Sequence, residues 1–223
     1  MESLATEPVS DNPSESIAIR SYRKTFLYRS RMLVTAVLLL GAWGGLLVSP
    51  LAVRAGSVTA ILADYCGWLM FFGGLSIRVW ATRSIGGRKA NEVVCYGPYS
   101  LCRNPLYVGT FLMILSIACF LKSLTFAAAA FLVIAHYCAV IVPLEERFLL
   151  HQFGIEFSKY CESVPRWLPG WGRDYCPPLP TMNSPPMHSE MRRIVWWLTL
   201  PLMASLNLYC RSLPEWPQWL NLP

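Results

Sequence analysis

Long uncharged stretches alternate with short basic ones along this chain. Met32 to Val53 contains no charged residue and matches the roughly 20 apolar residues a helix needs to cross the hydrocarbon core of a bilayer. Val58 to Trp80 is a second such stretch, with Asp64 near one end and Arg78 near the other, where either side chain can reach the interface. Pro105 to Leu121 and Leu124 to Pro143 come next. They are joined so closely at Lys122 and Ser123 that they predict an antiparallel hairpin, with Pro105 opening its helix where a missing N–H costs nothing. Ile194 to Cys210 is a fifth apolar segment, shorter and interrupted by Pro201, expected to span with a kink or to lie partly in the interface. The pattern predicts an all-α integral membrane protein of about five helices.

Between these elements the chain divides into a polar and basic arm (1–31), a membrane domain (32–169), a Pro-rich linker (170–191), and a last helix with an aromatic tail (192–223). The polar start from Met1 to Ser16 and the length of the first apolar run do not fit a cleavable signal peptide. That run is expected to remain as a spanning helix. The stretch from Pro177 to Pro186 holds too many prolines for regular structure, and Trp196, Trp197, Trp216 and Trp219 read as interfacial anchors around the last helix.

Composition supports the membrane assignment, since 54% of the 223 residues are hydrophobic and only 14% are charged, outside the range of ordinary soluble domains. The net charge of +6 would raise nucleic acid as a partner if the basic residues formed one patch. Instead they sort by loop. Arg20, Arg23, Lys24, Arg29 and Arg31 precede the first span; Arg83, Arg88, Lys89 and Arg103 lie between the second and third; Arg147, Lys159, Arg166, Arg173, Arg192 and Arg193 lie between the fourth and fifth. The other side receives only Arg54, Lys122 and Arg211. Because basic loops stay in the cytoplasm beside anionic lipid, this alternation predicts a cytoplasmic N-terminus, membrane lipid as the partner of the basic residues, and no nucleic acid. The eight cysteines show no Cys-x-x-Cys spacing or paired histidines, so they read as reduced, small apolar fillers, and no metal site is expected.

Two cytoplasmic segments then remain for chemistry. The first, Gly97-Pro98-Tyr99-Ser100-Leu101-Cys102-Arg103-Asn104-Pro105-Leu106-Tyr107, is a turn entering a membrane helix. A helix N-terminus with free N–H groups and a positive dipole end favours an anionic ligand group, and Arg103 can add a bidentate contact. Equally, the turn can be structural, with Arg103 on lipid phosphate and the tyrosines in an interfacial belt. The second segment places Glu145 and Glu146 directly after the fourth span. If helix continues there, adjacent carboxylates point to different faces, so only one of them is expected to enter a site bounded by the hairpin. His136, inside the fourth span, is expected to hydrogen-bond a neighbouring helix, and Asp64 to pair with a basic loop residue.

These residues resemble the signature of the isoprenylcysteine carboxyl methyltransferase and phospholipid methyltransferase superfamily of membrane enzymes. Gly97-Pro98-Tyr99, Arg103-Asn104-Pro105-Leu106-Tyr107, Glu145-Glu146, Phe153-Gly154-Ile155-Glu156-Phe157-Ser158-Lys159-Tyr160 and Val164-Pro165-Arg166-Trp167-Leu168-Pro169 occur in the order of that signature, covering about Asn91 to Pro169. The resemblance implies an S-adenosylmethionine-dependent methyltransferase acting on a lipophilic acceptor, a carboxylate, amine or thiol, that enters from the bilayer. It implies a cofactor pocket on the cytoplasmic side, with cofactor contacts at Asn91, Glu92, Val93, Val94, Tyr99, Asn104, Pro105, Leu106, Tyr107 and Glu145, and catalytic positions at Arg103 and Glu146. Carboxylates, aromatic faces and N–H donors suit a sulfonium with an amino-acid tail.

Two departures from the signature bear on mechanism. Asn104 stands where the family most often has His, which removes a base but keeps an amide that donates and accepts. Ile141 stands where the eukaryotic prenylcysteine enzymes carry an Arg associated with substrate, which argues against a prenylcysteine acceptor. The rival readings are an NADPH-dependent membrane reductase of the steroid and sterol type and a non-catalytic membrane protein.

Overall fold

A computed structural model of the chain describes residues 26–47, 56–85, 92–167, 187–213 and 215. Residues 1–25 of the polar and basic arm, 168–186 with most of the Pro-rich linker, and the tail with Trp216 and Trp219 therefore lie outside the described residues, as does the end of the first apolar run; the last residues of the predicted arm and linker are instead helical, from Phe26 and from Met187. The described residues are all helical or irregular, with no strand among them. In chain order the helices are α1 (Phe26–Leu47), α2 (Val58–Ile85), a short 3₁₀ turn (Gly97–Ser100), α3 (Pro105–Leu121), α4 (Leu124–His136), a π turn (Tyr137–Ile141), α5 (Val142–Phe153), α6 (Ile155–Ser163) and α7 (Met187–Ser212). Two continuous runs are long and apolar enough to cross a membrane, Val58–Ile85 and Leu124–Phe153; Leu33–Leu47 and Pro105–Leu121 are shorter apolar helices.

The predicted hairpin forms at the predicted residues. α3 starts on Pro105 and stops at Lys122, which takes a left-handed φ of 50° and donates its N–H to the Cys119 carbonyl. Ser123 then caps α4, its hydroxyl accepting from the Phe126 N–H at 3.2 Å. The Lys122 ammonium reaches Asp64 at 2.6 Å, the pairing expected for that acid, and so fastens the hairpin tip to the start of α2.

Among the described residues α2 and α3 share the most extensive contact, and its cause is a seam of small residues. Ala60, Gly67, Gly74 and Ala81 recur every seventh position of α2, all buried. A Cβ at Gly74 would lie 2.6 Å from the Gly109 carbonyl oxygen, and one at Gly109 would lie 2.7 Å from that of Gly74. The two backbones meet where both residues lack a side chain, the packing mode that lets helices associate without a hydrophobic driving force. Gly67 similarly receives the ring of Phe120, with a Cβ there only 2.7 Å from the ring edge. Around this crossing Leu46, Phe71, Met113, Ile117, Leu121, Phe126 and Ala204 form the main core, with α7 packed chiefly on α3 and α1 packed on α4. Large apolar side chains on the outer faces, among them Leu40, Leu62, Leu69, Phe131 and Leu202, are exposed, as expected for surfaces in contact with lipid chains.

The fourth apolar run departs from expectation at its end. Helix does not stop at Pro143 but continues to Phe153. Proline lacks the N–H for the ordinary ladder, and its ring crowds the carbonyl four residues back. The widened turn at Tyr137–Ile141, in which the Val142 N–H reaches the Tyr137 carbonyl, accommodates that crowding. α2 likewise runs five residues beyond Trp80.

Replacing Gly74 by Val should lower stability by about 1–3 kcal/mol through overpacking against the α3 backbone, whereas Gly41→Ala, where nothing lies within 4 Å, should be neutral. Tryptophan-fluorescence melts in detergent check this; equal melting temperatures for the two variants would contradict the seam.

Candidate functional site

Gly97 opens the turn before α3 with φ +64°, and a Cβ there would sit 2.5 Å from the Ser84 hydroxyl. Only glycine combines that left-handed backbone with so close an approach to the end of α2. The turn buries Pro98 and Tyr99, and the Tyr99 carbonyl accepts the Tyr160 hydroxyl at 2.8 Å, which draws α6 over the turn. Val93, Cys95, Phe157, Tyr160 and Val164 complete that contact as a second core. The Arg103 N–H donates to the Pro165 carbonyl at 2.9 Å, so the return after α6 runs directly across the entrance of α3.

The π turn and Pro143 carry α5 out of the hairpin with its acids aimed at that entrance. The Tyr107 hydroxyl donates to Glu145 at 2.7 Å. The Asn104 amide donates to Glu146 at 3.2 Å and to the Arg166 carbonyl at 3.4 Å. Arg166 grips Glu146 through Nε at 3.2 Å and Nη2 at 2.5 Å, and Arg103 Nη1 lies 3.6 Å from the same carboxylate. Hydrogen bonding to Glu146 pushes the Arg166 pKa above its ordinary value despite partial burial. Asn104 thus does not cap α3 with its side chain; its amide is used to join Glu146 to the return segment.

A cavity of about 240 Å³ lies where these elements meet. Its wall takes Glu92, Val93 and Val94 from the segment before the turn, Tyr99 from the turn, and Arg103, Asn104, Leu106 and Tyr107 from the start of α3. Glu145 and Glu146 both line it. This overturns the expectation that only one carboxylate enters the site. The two side chains are about 100° apart on the helix, but the cavity wraps the end of α5, so Glu145 faces α3 while Glu146 faces the return at 164–167. Burial, then the nearby Glu145 carboxylate, raises the Tyr99 pKa far above the ordinary phenol value, so Tyr99 is a neutral hydrogen-bonding group. Tyr96 donates to Glu92 at 3.4 Å.

Of the positions singled out in the sequence, Pro105 is fully buried beneath the site and does not line it, because its ring fills the first turn of α3. Asn91 lies outside the described residues. Ile141, at the position of the missing arginine, is also fully buried and away from the cavity. His136 does not make the expected bond through Nε2, which is buried without a hydrogen-bond partner among the described residues; its ring packs edge-on against Tyr137. Several lining residues were not foreseen. Arg78 and Thr110 reach the cavity from within the apolar helices, and Leu149, Phe153, Phe157 and Tyr160 roof it from α5 and α6. Arg78 carried a signal, a charge inside a spanning helix, and Phe153, Phe157 and Tyr160 stood in the family signature without an assigned site role; Leu149 is indistinguishable from core in a sequence.

The donor set fits the charged end of a sulfonium nucleoside. Arg103 keeps a buried Nε without a hydrogen-bond partner among the described residues, an arrangement costly unless an acceptor completes it. Glu92 and Glu145 offer carboxylates, Tyr99 and Tyr107 aromatic faces, and Leu149, Phe153 and Phe157 an apolar wall.

The model of the phospholipid methyltransferase family matches residues 56–156, from the start of α2 into α6. The cobalt-zinc-cadmium resistance protein CzcN of Cupriavidus metallidurans is 34% identical over 209 residues, covering 89% of this chain and 91% of that protein. The nickel-cobalt-cadmium resistance protein NccN of Alcaligenes xylosoxydans xylosoxydans is 28% identical over 146 residues, 66% of this chain and 68% of that protein. No solved structure matches the chain. With the family match spanning the helices that build the cavity, the chain belongs to the phospholipid methyltransferase family, in the superfamily of membrane methyltransferases it shares with the isoprenylcysteine carboxyl methyltransferases.

Proposed function

We propose that this protein is a membrane-embedded, S-adenosylmethionine-dependent methyltransferase whose acceptor is a lipophilic molecule dissolved in the bilayer. The observation that carries this reading is the convergence of Tyr107 with Glu145 and of Asn104 with Glu146 around one cavity. Residues 38 and 42 positions apart meet there, and they do so at the end of two apolar helices.

S-adenosylmethionine, when bound, supplies a methyl group on a sulfonium sulfur. The chain's own residues have four tasks. Glu145, held by Tyr107, and Glu92 provide negative charge for the cationic end, while the Arg103 guanidinium accommodates a carboxylate. Asn104, Arg166 and Glu146 fasten the return segment over the site. Leu149, Phe153 and Phe157 exclude water, which strengthens each electrostatic contact inside. Alignment of acceptor and methyl donor within a dry cavity is then the main catalytic contribution. Both oxygens of Glu146 are engaged by Arg166 and Asn104, which suits Glu146 to a fastening role.

In the membrane we place about five crossings, with the N-terminus and the cavity on the cytoplasmic side, on the strength of the loop charges. The names of the two relatives speak of resistance to metal ions; from them we carry over only a setting, in which the methylated membrane product serves a cell exposed to such ions.

Glu145→Ala and Tyr107→Ala should each weaken S-adenosylhomocysteine binding by about tenfold, the scale of one charge-assisted hydrogen bond, without changing the melting temperature by more than a few degrees. Isothermal titration checks this, with NADPH as the rival ligand: NADPH binding with no S-adenosylhomocysteine binding would favour the reductase. For topology, single cysteines introduced at the exposed Leu124 and Gly154 in a cysteine-free chain should label from opposite sides of the membrane, Leu124 from outside intact cells.

A further inference from the structure

At the end of the α2–α3 pair opposite the cavity, two cysteines come together from the two helices. Two contacts fix the register there. The Lys122 ammonium meets Asp64 at 2.6 Å, and a Cβ at Gly67 would lie 2.7 Å from the ring of Phe120. Cys66 directly precedes Gly67 and Cys119 directly precedes Phe120, so both thiols are set beside these contacts. The Cys119 thiol is within hydrogen-bonding reach of the Cys66 thiol and close to the Asp64 carboxylate. The small-residue seam favours such a meeting, because backbones that meet at glycine approach more closely than the axes of ordinary packed helices, about 8–10 Å apart. A disulfide needs Cα atoms within about 7 Å.

A cysteine that only fills an apolar gap is buried, as Cys95 and Cys102 are. Cys66 is instead exposed and Cys119 half-buried. The nearby ion pair marks the level at which this end of the pair meets water, since the Asp64 side chain is 47% exposed and charges on apolar helices gather at the interface. Cys66 is two residues from Asp64 along α2, about 3 Å of axial rise. Cys119 is three residues from Lys122 along the chain, about 4.5 Å by the same rise. Both thiols are therefore within reach of a reagent arriving from the aqueous side.

On the topology proposed above, and independently of the methyltransferase reading, this end of the pair faces away from the cytoplasm. We propose that Cys66 and Cys119 form a reversible disulfide on the outer side of the membrane, a covalent clasp across the α2–α3 crossing. The step is thiol–disulfide exchange with a donor disulfide, carried by an oxidoreductase or a small molecule of the outer compartment, where such bonds persist. The exposed Cys66 thiolate attacks one donor sulfur and releases the other as a thiolate. Cys119 then attacks the Cys66 sulfur of the mixed disulfide and releases the second donor thiolate. The two cysteine thiols lose two protons and two electrons, and the donor disulfide takes up both. The clasp stabilises the fold chiefly by constraining the unfolded chain between 66 and 119.

The test quenches cells expressing the full chain with N-ethylmaleimide and maps tryptic peptides of the protein by mass spectrometry. Cleavage after Arg54, Arg78, Arg103 and Lys122 places Cys66 and Cys119 on separate peptides, each with one cysteine. They should be recovered as one linked species, lost on treatment with dithiothreitol and absent from Cys66→Ser. The purified wild type should melt about 5–10 °C lower in dithiothreitol, whereas Cys66→Ser and Cys119→Ser should not respond to the reductant. Recovery of the two cysteines as separately alkylated peptides would overturn the proposal. In that event, coupling of the purified chain by oxidised glutathione would show that the outer placement had failed, and no coupling would show that the geometry had. An equal response to dithiothreitol in the wild type and Cys66→Ser would also overturn it. None of these readouts depends on S-adenosylhomocysteine, so a chain that forms the linked species but does not bind that ligand would keep the clasp and defeat the methyltransferase reading alone.

Discussion

Glu146 joins three parts of the chain at one carboxylate. Its carboxylate takes Asn104 from the entrance of α3 and Arg166 from the return after α6, with Arg103 close by, while its own backbone belongs to the helix emerging from the hairpin. The side chain is only 11% exposed, and at that burial an ion pair stripped of one partner is strongly destabilising. The cluster is thus best understood as a fastener. With it in place, Glu145 is left beside Tyr107 and facing the cavity, and the roof residues of α5 and α6 are held over the turn at Gly97.

The fastener acts because the helices below it are already fixed. Inside a bilayer, apolar area gives no preference for helix over lipid, so close backbone approach must do the work. The Ala60, Gly67, Gly74 and Ala81 seam meets Gly109 and Phe120 on α3 and sets the relation of the two helices that supply Arg78, Tyr107 and Thr110. The hairpin cap at Lys122 and Ser123, with the Asp64 contact, sets the other end. Geometry at the site is therefore imposed from two directions, by steric fit within the apolar region and by charge and hydrogen bonding at its edge.

Much of this was legible in the sequence, and the parts that were not have physical reasons. The hairpin could be read because Pro105, Lys122 and Ser123 punctuate it within a very short loop. Tyr99, Arg103, Asn104, Tyr107 and Glu145, which line the cavity, were singled out by the family resemblance; as polar groups at the end of an apolar run they fitted a structural turn equally well. The continuation through Pro143 could not be read: proline signals a stop, and only the compensating π turn at Tyr137–Ile141 makes it a passage. The shared facing of Glu145 and Glu146 failed to follow from helical spacing because the cavity curves around α5. Arg78 was seen as a charge near a helix end, but its route into the cavity depends on Gly109, thirty-one positions away. Leu149, Phe153 and Phe157 carry no polar mark at all.

The central claim is that the turn entering α3 and the acids at the start of α5 hold one sulfonium nucleoside between them. Ultraviolet crosslinking of methyl-labelled S-adenosylmethionine to the full chain in detergent, followed by peptide mapping, examines that claim most directly. The account predicts label on peptides from both 92–107 and 145–160, removed by excess S-adenosylhomocysteine. Label confined to other parts of the chain, or label that S-adenosylhomocysteine does not displace, would contradict it.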